Sequence, residues 1–188
     1  LAWTTTPWTL PSNLALWVNP EITYVKVKQG DYTYYMAKEL CEKVLGEDYT
    51  ILEEMPGKSL EYKEYEPLYP YALNKLNGKK AFIVTCDDYV TTTDGSGIVH
   101  MAPAFGEDDS RVCREYGIAF VQFVDAKGCM TADTDWPGVF VKKADPKILK
   151  DLEEKGLLFS APNFEHSYPH CWRCDTPLLY YARETWFI

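Results

Sequence analysis

The sequence predicts a β-rich domain with peripheral helices, organised around a closed, barrel-like β core. Three observations carry that expectation: about seven short strand-like runs, three or four helix-like runs, and no regular alternation between them that would build a doubly wound parallel sheet. The 188 residues, 46% hydrophobic and 15% aromatic, are enough to bury one core without disulfide support, so a single domain over 1–188 is expected.

Ala2 to Thr6 is β-branched and aromatic, and Pro7, with its fixed φ and missing donor, turns this strand into a loop. Pro11-Ser12-Asn13 ahead of Leu14, Leu16 and Trp17 predicts a short helix. From Ile22 to Lys28, Thr23, Val25 and Val27 alternate with Tyr24, Lys26 and Lys28, the period of a half-buried strand. Gly30-Asp31 is a turn, Tyr32 to Ala37 the returning strand, and Lys38 to Leu45 a one-faced helix stopped by Gly46. Tyr49 to Glu54 is a strand ended by Pro56-Gly57, and Glu61 to Tyr71, rich in Tyr, Glu and Pro, reads as an ordered surface loop. Lys80 to Thr85 and Gly97 to Met101 are the apolar runs of strands buried on both faces, separated by the turn chemistry of Asp94-Gly95-Ser96. Glu107 to Tyr116 carries acids in its first turn and Arg111 and Arg114 later, as a helix macrodipole favours, and Gly117 ends it. Ala119 to Val124 predicts a strand, Pro146 to Lys155 a helix with its proline early and Gly156 as its stop, and Leu157 to Ala161 a last strand.

Nineteen basic against 28 acidic residues give a net charge of −9, the opposite of the cationic footprint by which a protein grips nucleic-acid phosphates. Any nucleic acid meeting this domain must be held mainly by something else. No apolar run reaches the roughly 20 residues of a membrane span, and Leu1-Ala2-Trp3-Thr4 has neither an initiator Met nor the basic flank of a signal peptide. The expectation is a piece of a longer, cytoplasmic chain without membrane contact. Cys41, Cys86, Cys113 and Cys129 stand isolated in apolar or mixed surroundings, which reads as reduced, buried thiols.

Three constellations carry chemistry. In Trp3-Thr4-Thr5-Thr6-Pro7-Trp8-Thr9, four hydroxyls leave a strand together, able to hold a sugar diol or position a water, although threonine is also simply a good strand residue. In Asp94-Gly95-Ser96-Gly97-Ile98-Val99-His100-Met101-Ala102-Pro103-Ala104-Phe105-Gly106-Glu107-Asp108-Asp109, a glycine-bracketed strand delivers His100 to a sheet end. The Gly106 turn then opens a helix whose first turn holds three acids. Acids there also serve as caps, and a lone histidine is often only a hydrogen-bonded structural group. In His166-Ser167-Tyr168-Pro169-His170-Cys171-Trp172-Arg173-Cys174, Cys171 and Cys174 form half of a four-ligand zinc site. His166 and His170 lie too close before the pair for a usual finger, so either partner ligands lie elsewhere or two thiols sit unligated in a turn.

On these three motifs, in this order, the chain resembles the isoleucyl-tRNA synthetase family, within its editing domain, over essentially the whole length from Leu1 to Ile188. The valyl and leucyl relatives carry an Arg-Pro-acid-Thr run where this chain has Pro7-Trp8-Thr9, which favours the isoleucine enzyme. The resemblance implies an editing domain of the valyl/leucyl/isoleucyl type inserted in a catalytic core, with 166–188 returning toward that core. Its implied activity is hydrolysis of valine wrongly attached to the isoleucine tRNA, and of valyl-adenylate. Valine lacks one methylene, and an apolar pocket rejects it by only about 1–3 kcal/mol, or 10–200-fold, a magnitude known from isoleucyl-tRNA synthetases themselves.

By the same resemblance, Asp109 pairs with the substrate α-ammonium, and Thr4, Thr5, Thr6 and Thr9 surround the terminal adenosine and the attacked ester. His100 is the wall that leaves room for valine but not isoleucine, while Trp8 and Phe105 line the pocket and stack on adenine. With no Ser-His-Asp arrangement and no complete hydrolytic metal site in the sequence, a positioned water and no covalent intermediate are expected. Editing itself needs no cofactor. Zinc on Cys171 and Cys174 would need cysteines upstream of the insertion, in the full-length enzyme. The expected partners are the 3′ end of the isoleucine tRNA carrying valine, valyl-adenylate and the rest of the synthetase, in a monomer. Two other classes share these residues: a binding-only module for the tRNA end, and a zinc-stabilised interaction domain with apolar ends at Leu1-Ala2-Trp3 and Trp186-Phe187-Ile188.

Overall fold

The computed structural model describes residues 1–163 and 168–186; His166 and the Phe187-Ile188 end lie outside the described residues. Two three-stranded sheets form the scaffold. In the first, β1 (Ala15–Val18) is central, parallel to β5 (Ile83–Cys86) and antiparallel to β6 (Val99–Met101). In the second, β2 (Thr23–Gln29) runs between β3 (Tyr32–Ala37) and β4 (Thr50–Pro56), all antiparallel. Helices α1 (Cys41–Leu45), α2 (Glu107–Glu115) and α3 (Val141–Glu154) lie around them. Among the described residues the strands stay in these two separate sheets and form no closed barrel, so the β-rich, helix-flanked expectation holds and the barrel closure does not.

The β2–β3 hairpin, β4, α1 and α2 lie where the sequence places them, and 61–71 is irregular as expected. Tyr24 departs from the alternation: on the expected polar face, it is buried and donates from its hydroxyl to the Gly97 carbonyl at 2.6 Å, joining the two sheets. That junction demands glycine. A Cβ on Gly97, at φ +76°, would stand 2.4 Å from the Ala37 Cβ, and one on Gly95, also at φ +76°, would meet the Trp3 ring at 2.5 Å.

Four expectations are corrected. The short helix after Asn13 is strand β1, preceded by a 3₁₀ turn over Pro7–Ser12; Leu14, Ala15, Trp17 and Val18 are all buried, so this central strand shows no alternation to read. Residues 119–124 alternate as a strand should, but Ala119, Val121 and Phe123 spend that pattern on packing under β5 and α2, with only isolated bridges at Ile118 and Val124. Leu157 to Ala161 forms no strand; the Leu157 N–H caps α3 on the Leu152 carbonyl. Helix α3 starts five residues before Pro146 because Val141 and Ala144 are buried against the 3₁₀ turn. All six cysteines are free, with Cys41 and Cys113 buried and Cys86 and Cys129 half-buried.

Candidate active site

The N-terminal segment reaches the site by pairing with β6. Trp3 donates its N–H to the Ile98 carbonyl at 2.8 Å and accepts from the His100 N–H at 3.0 Å, a parallel bridge that sets Thr4, Thr5 and Thr6 beside the imidazole. Pro7 then starts the 3₁₀ turn, which carries Thr9 back under the same ring. From the other side, Ala102 to Phe105 leads into α2, and the Asp109 Oδ1 accepts the Ala102 N–H at 2.9 Å, folding the helix start over the end of β6. These segments enclose a cavity of about 220 Å³ lined by Thr4, Thr5, Thr6, Thr9, His100, Phe105 and Asp109, together with Trp3, Trp17, Tyr89, Val99 and Ala102. It is smaller than the roughly 300–1,000 Å³ of pockets for drug-sized ligands, which suits a small acyl group.

Trp8 is elsewhere. It is 3% exposed, packs with Val141, Ala144 and Ile148, and meets Phe105 edge-on at 5.0 Å from behind the wall. Its ring backs Phe105 and is not among the residues that line the cavity, where the sequence reading places it. The turn that begins at Pro7 is the reason: it directs Thr9 and Trp8 to opposite sides.

The hydrogen bonds fix where the protons are. The Asn13 side-chain nitrogen donates to the Ala15 carbonyl at 2.9 Å and lies 2.8 Å from His100 Nδ1. An amide nitrogen does not accept, so Nδ1 is the acceptor and the imidazole proton sits on Nε2. Nε2 then donates to Thr9 Oγ1 at 2.9 Å. Thr9 gives its own proton to the Thr6 carbonyl at 2.8 Å, so Thr6 Oγ1, 3.1 Å away, must donate to Thr9, and Thr4 Oγ1 to Thr6 at 3.3 Å. The Thr6 N–H donates to Thr4 Oγ1 at 3.1 Å. Thr9 is thereby saturated, Thr4 and Thr6 each keep one lone pair for a ligand or water, and Thr5 Oγ1 has no partner among the described residues.

Burial pushes the His100 pKa down to about 3, so the ring is neutral across the physiological range, and with both nitrogens bonded it is badly placed to take a proton. Asp109 is the only charged residue on the cavity wall among the described residues. Burial raises its pKa, opposed by the Ala102 and Asp109 backbone N–H groups. A small cavity with one carboxylate, acceptor lone pairs and a neutral imidazole has the groups to pair with a compact cation and to hydrogen-bond a water.

Asn13 and Tyr65 are the polar residues that sequence reasoning missed. Tyr65 donates to Asn13 Oδ1 at 2.6 Å, completing a line from a surface loop through Asn13 and His100 to the threonines. Asn13 resembled a helix-start residue, and Tyr65 lay in a loop with no period to mark it. Since Asn13 is 7% exposed and its two amide hydrogens serve the Ala15 carbonyl and His100 Nδ1, with the Met101 carbonyl sharing one at 3.3 Å, Asn13→Ala is expected to cost about 2 kcal/mol or more of stability, read as a lowered melting temperature.

The thiol pair lies apart from this cavity. Cys171 is half-buried and Cys174 exposed, with the Cys174 thiol held below its usual range by bonds to Thr176 and Cys171. The neighbouring His170 Nδ1 is engaged with the Asp175 carbonyl at 3.0 Å, and no group of three or more candidate metal ligands occurs among the described residues. The donor set fits half of a zinc site.

No protein-family profile matches the chain. It is 51% identical over 189 residues to the isoleucine-tRNA ligase of Clostridium novyi and 47% identical over 188 residues to that of Thermus thermophilus, in each case along 100% of its own length. It spans 18% and 17% of the length of those relatives. In fold it is similar to the crystal structure of GlLeuRS-CP1, with TM-score 0.69 and 16% identity over 87% of this chain and 84% of that one. The cytosolic leucyl-tRNA synthetase editing domain of P. knowlesi matches with TM-score 0.59 and 14% identity over 82% of this chain and 80% of that one. With about half of its residues shared along its entire length, the chain is similar to a segment of the isoleucine-tRNA ligases and has the fold of a synthetase editing domain.

Proposed function

We propose that this segment is the proofreading site of its synthetase, hydrolysing valine from mischarged isoleucine tRNA and clearing valyl-adenylate. The observation that carries the reading is the lone Asp109 carboxylate facing a neutral, doubly bonded His100 across a cavity of about 220 Å³. Asp109 holds the substrate ammonium, His100 limits side-chain length, and Thr4, Thr5 and Thr6 bind the water and the ribose end of the ester. The water adds to the ester carbonyl, the C–O bond to the ribose breaks, and the departing ribose oxygen takes up a proton, releasing valine. Because the relay offers lone pairs rather than a base, positioning supplies the rate and no acyl-threonine forms.

The net charge of −9 fits a domain that admits only the 3′ end of the tRNA while the rest of a monomeric, cytoplasmic synthetase holds its body. No helix among the described residues is long and apolar enough to cross a membrane. Editing needs no cofactor in this scheme, and zinc on Cys171 and Cys174 would require ligands from the rest of the enzyme.

The test is deacylation of valyl- against isoleucyl-tRNA by the synthetase carrying this chain: only the valyl ester should be cleared. Retention of both esters despite tight binding would favour the binding-only module. Since Thr4 and Thr6 share one relay, Thr5 lines the same cavity and no single hydroxyl is the nucleophile, single Thr4→Ala, Thr5→Ala and Thr6→Ala changes should each give partial loss, while the triple change should be severe. Mass-spectrometric trapping of an acyl-threonine would contradict the water mechanism.

A further inference from the structure

The 3₁₀ turn that carries Thr9 lacks a cap of its own. Its flanking Thr6 makes no side-chain capping bond, because the Thr6 hydroxyl is committed to Thr9 at 3.1 Å. The Trp8 N–H, in the first turn, therefore needs an outside acceptor. Asp145 of α3 provides it, 137 residues along the chain, with Oδ1 2.8 Å from the Trp8 nitrogen. Asp145 is half-buried, takes no part in the chemistry above, and stands on the helix face whose Val141, Ala144 and Ile148 pack around the Trp8 ring.

We infer that Asp145 is a positioning residue for the threonine relay: by holding the Trp8 N–H it fixes the turn, and through the turn the place of Thr9, on which Thr6 and Thr4 are organised. The reading of Asp145 rests on the proofreading function proposed above. The chain of bonds is short. The held amide belongs to the residue immediately before Thr9, whose hydroxyl lies 2.9 Å from His100 Nε2 and organises Thr6 and Thr4 behind it. A displacement on the order of 1 Å at a reacting group costs about 100-fold, so loss of the tether should be visible in turnover.

Asp145→Ala and Asp145→Asn in the synthetase carrying this chain test it. Alanine is the best helix former, so α3 itself is not weakened, whereas the Trp8 N–H loses its partner. Asparagine keeps an oxygen acceptor at the same place. The expected result is a kcat for valyl-tRNA deacylation lowered roughly 10- to 100-fold in Asp145→Ala with KM little changed, and restored to within about threefold in Asp145→Asn. A crystal structure of Asp145→Ala should show Thr9 Oγ1 moved beyond hydrogen-bonding distance of His100. Equal losses in both variants would overturn the acceptor role, as would an unmoved Thr9 or wild-type turnover in Asp145→Ala. Should Asp145→Ala fail to fold, turnover and the Thr9–His100 contact in Asp145→Asn decide alone: both retained supports the tether, and loss of either overturns it. If the wild-type enzyme clears no valyl-tRNA, the proofreading reading fails, and the position of Thr9 in the variant structures still decides whether Asp145 sets it.

Discussion

Replacing His100 with alanine is expected to let the synthetase hydrolyse cognate isoleucyl-tRNA, at a rate within roughly tenfold of the valyl rate, while much of the valine clearance survives. A methylene that merely lacks a contact changes binding by about 1–3 kcal/mol, whereas a ring standing in its way excludes it outright, so removing the ring adds an activity. The surroundings of His100 support survival of the rest. Asn13 keeps its two carbonyl acceptors, Ala15 at 2.9 Å and Met101 at 3.3 Å, and Thr9 keeps Thr6 on both sides. Nothing buried is orphaned except by the cavity itself. Were His100 instead the general base, the change would cost about 100- to 10,000-fold on both esters and would not relax specificity. The two roles differ in sign for isoleucyl-tRNA, so deacylation of both esters by one variant separates them; equal loss on both would overturn the gate.

What could be read from the sequence, and what could not, follows from how each residue meets its surroundings. The β2–β3 hairpin was legible because Val25 and Val27 alternate with Lys26 and Lys28 ahead of a Gly30-Asp31 turn, a local signal answered by a local structure. β1 was not, since a strand central in its sheet, apolar throughout and buried at all but Leu16, has no polar face, and Pro11-Ser12-Asn13 before it imitates a helix start. For the site, motif order brought Thr4, Thr5, Thr6, Thr9, His100, Phe105 and Asp109 together, and one cavity wall holds them all. Adjacency misled only for Trp8, whose neighbours face the cavity while its own ring turns into the α3 core. Asn13, Tyr65 and Asp145 act through bonds that close over 87, 52 and 137 residues, and no window along a sequence records such a pairing.

Asp109 should show the opposite behaviour from His100: loss of its charge removes activity and adds stability. Hydrogen bonds to a charged group are worth about 1.5–3 kcal/mol, and an unheld ammonium also misplaces the ester, so Asp109→Ala and Asp109→Asn should each lower valyl-tRNA deacylation on the order of 100-fold. Asparagine retains an oxygen to accept the Ala102 N–H, which leaves the turn into α2 in place and isolates the charge as the cause. The pH dependence has a definite sign. Burial raises the Asp109 pKa, so folding penalises the ionised form: at neutral pH the carboxylate destabilises the fold, and that cost disappears as the pH falls through the raised pKa. Asp109→Asn is therefore expected to melt at or above the wild-type temperature at pH 7, with the difference shrinking in acid. Pairing with the ammonium needs the carboxylate, so wild-type kcat/KM should fall with acidification from a pH above the usual aspartate range, a limb absent from the asparagine variant. Activity within threefold of wild type in both variants would remove Asp109 from the site, and a melting temperature lowered by the asparagine change would mean that the buried charge is compensated in a way the Ala102 bond alone does not provide.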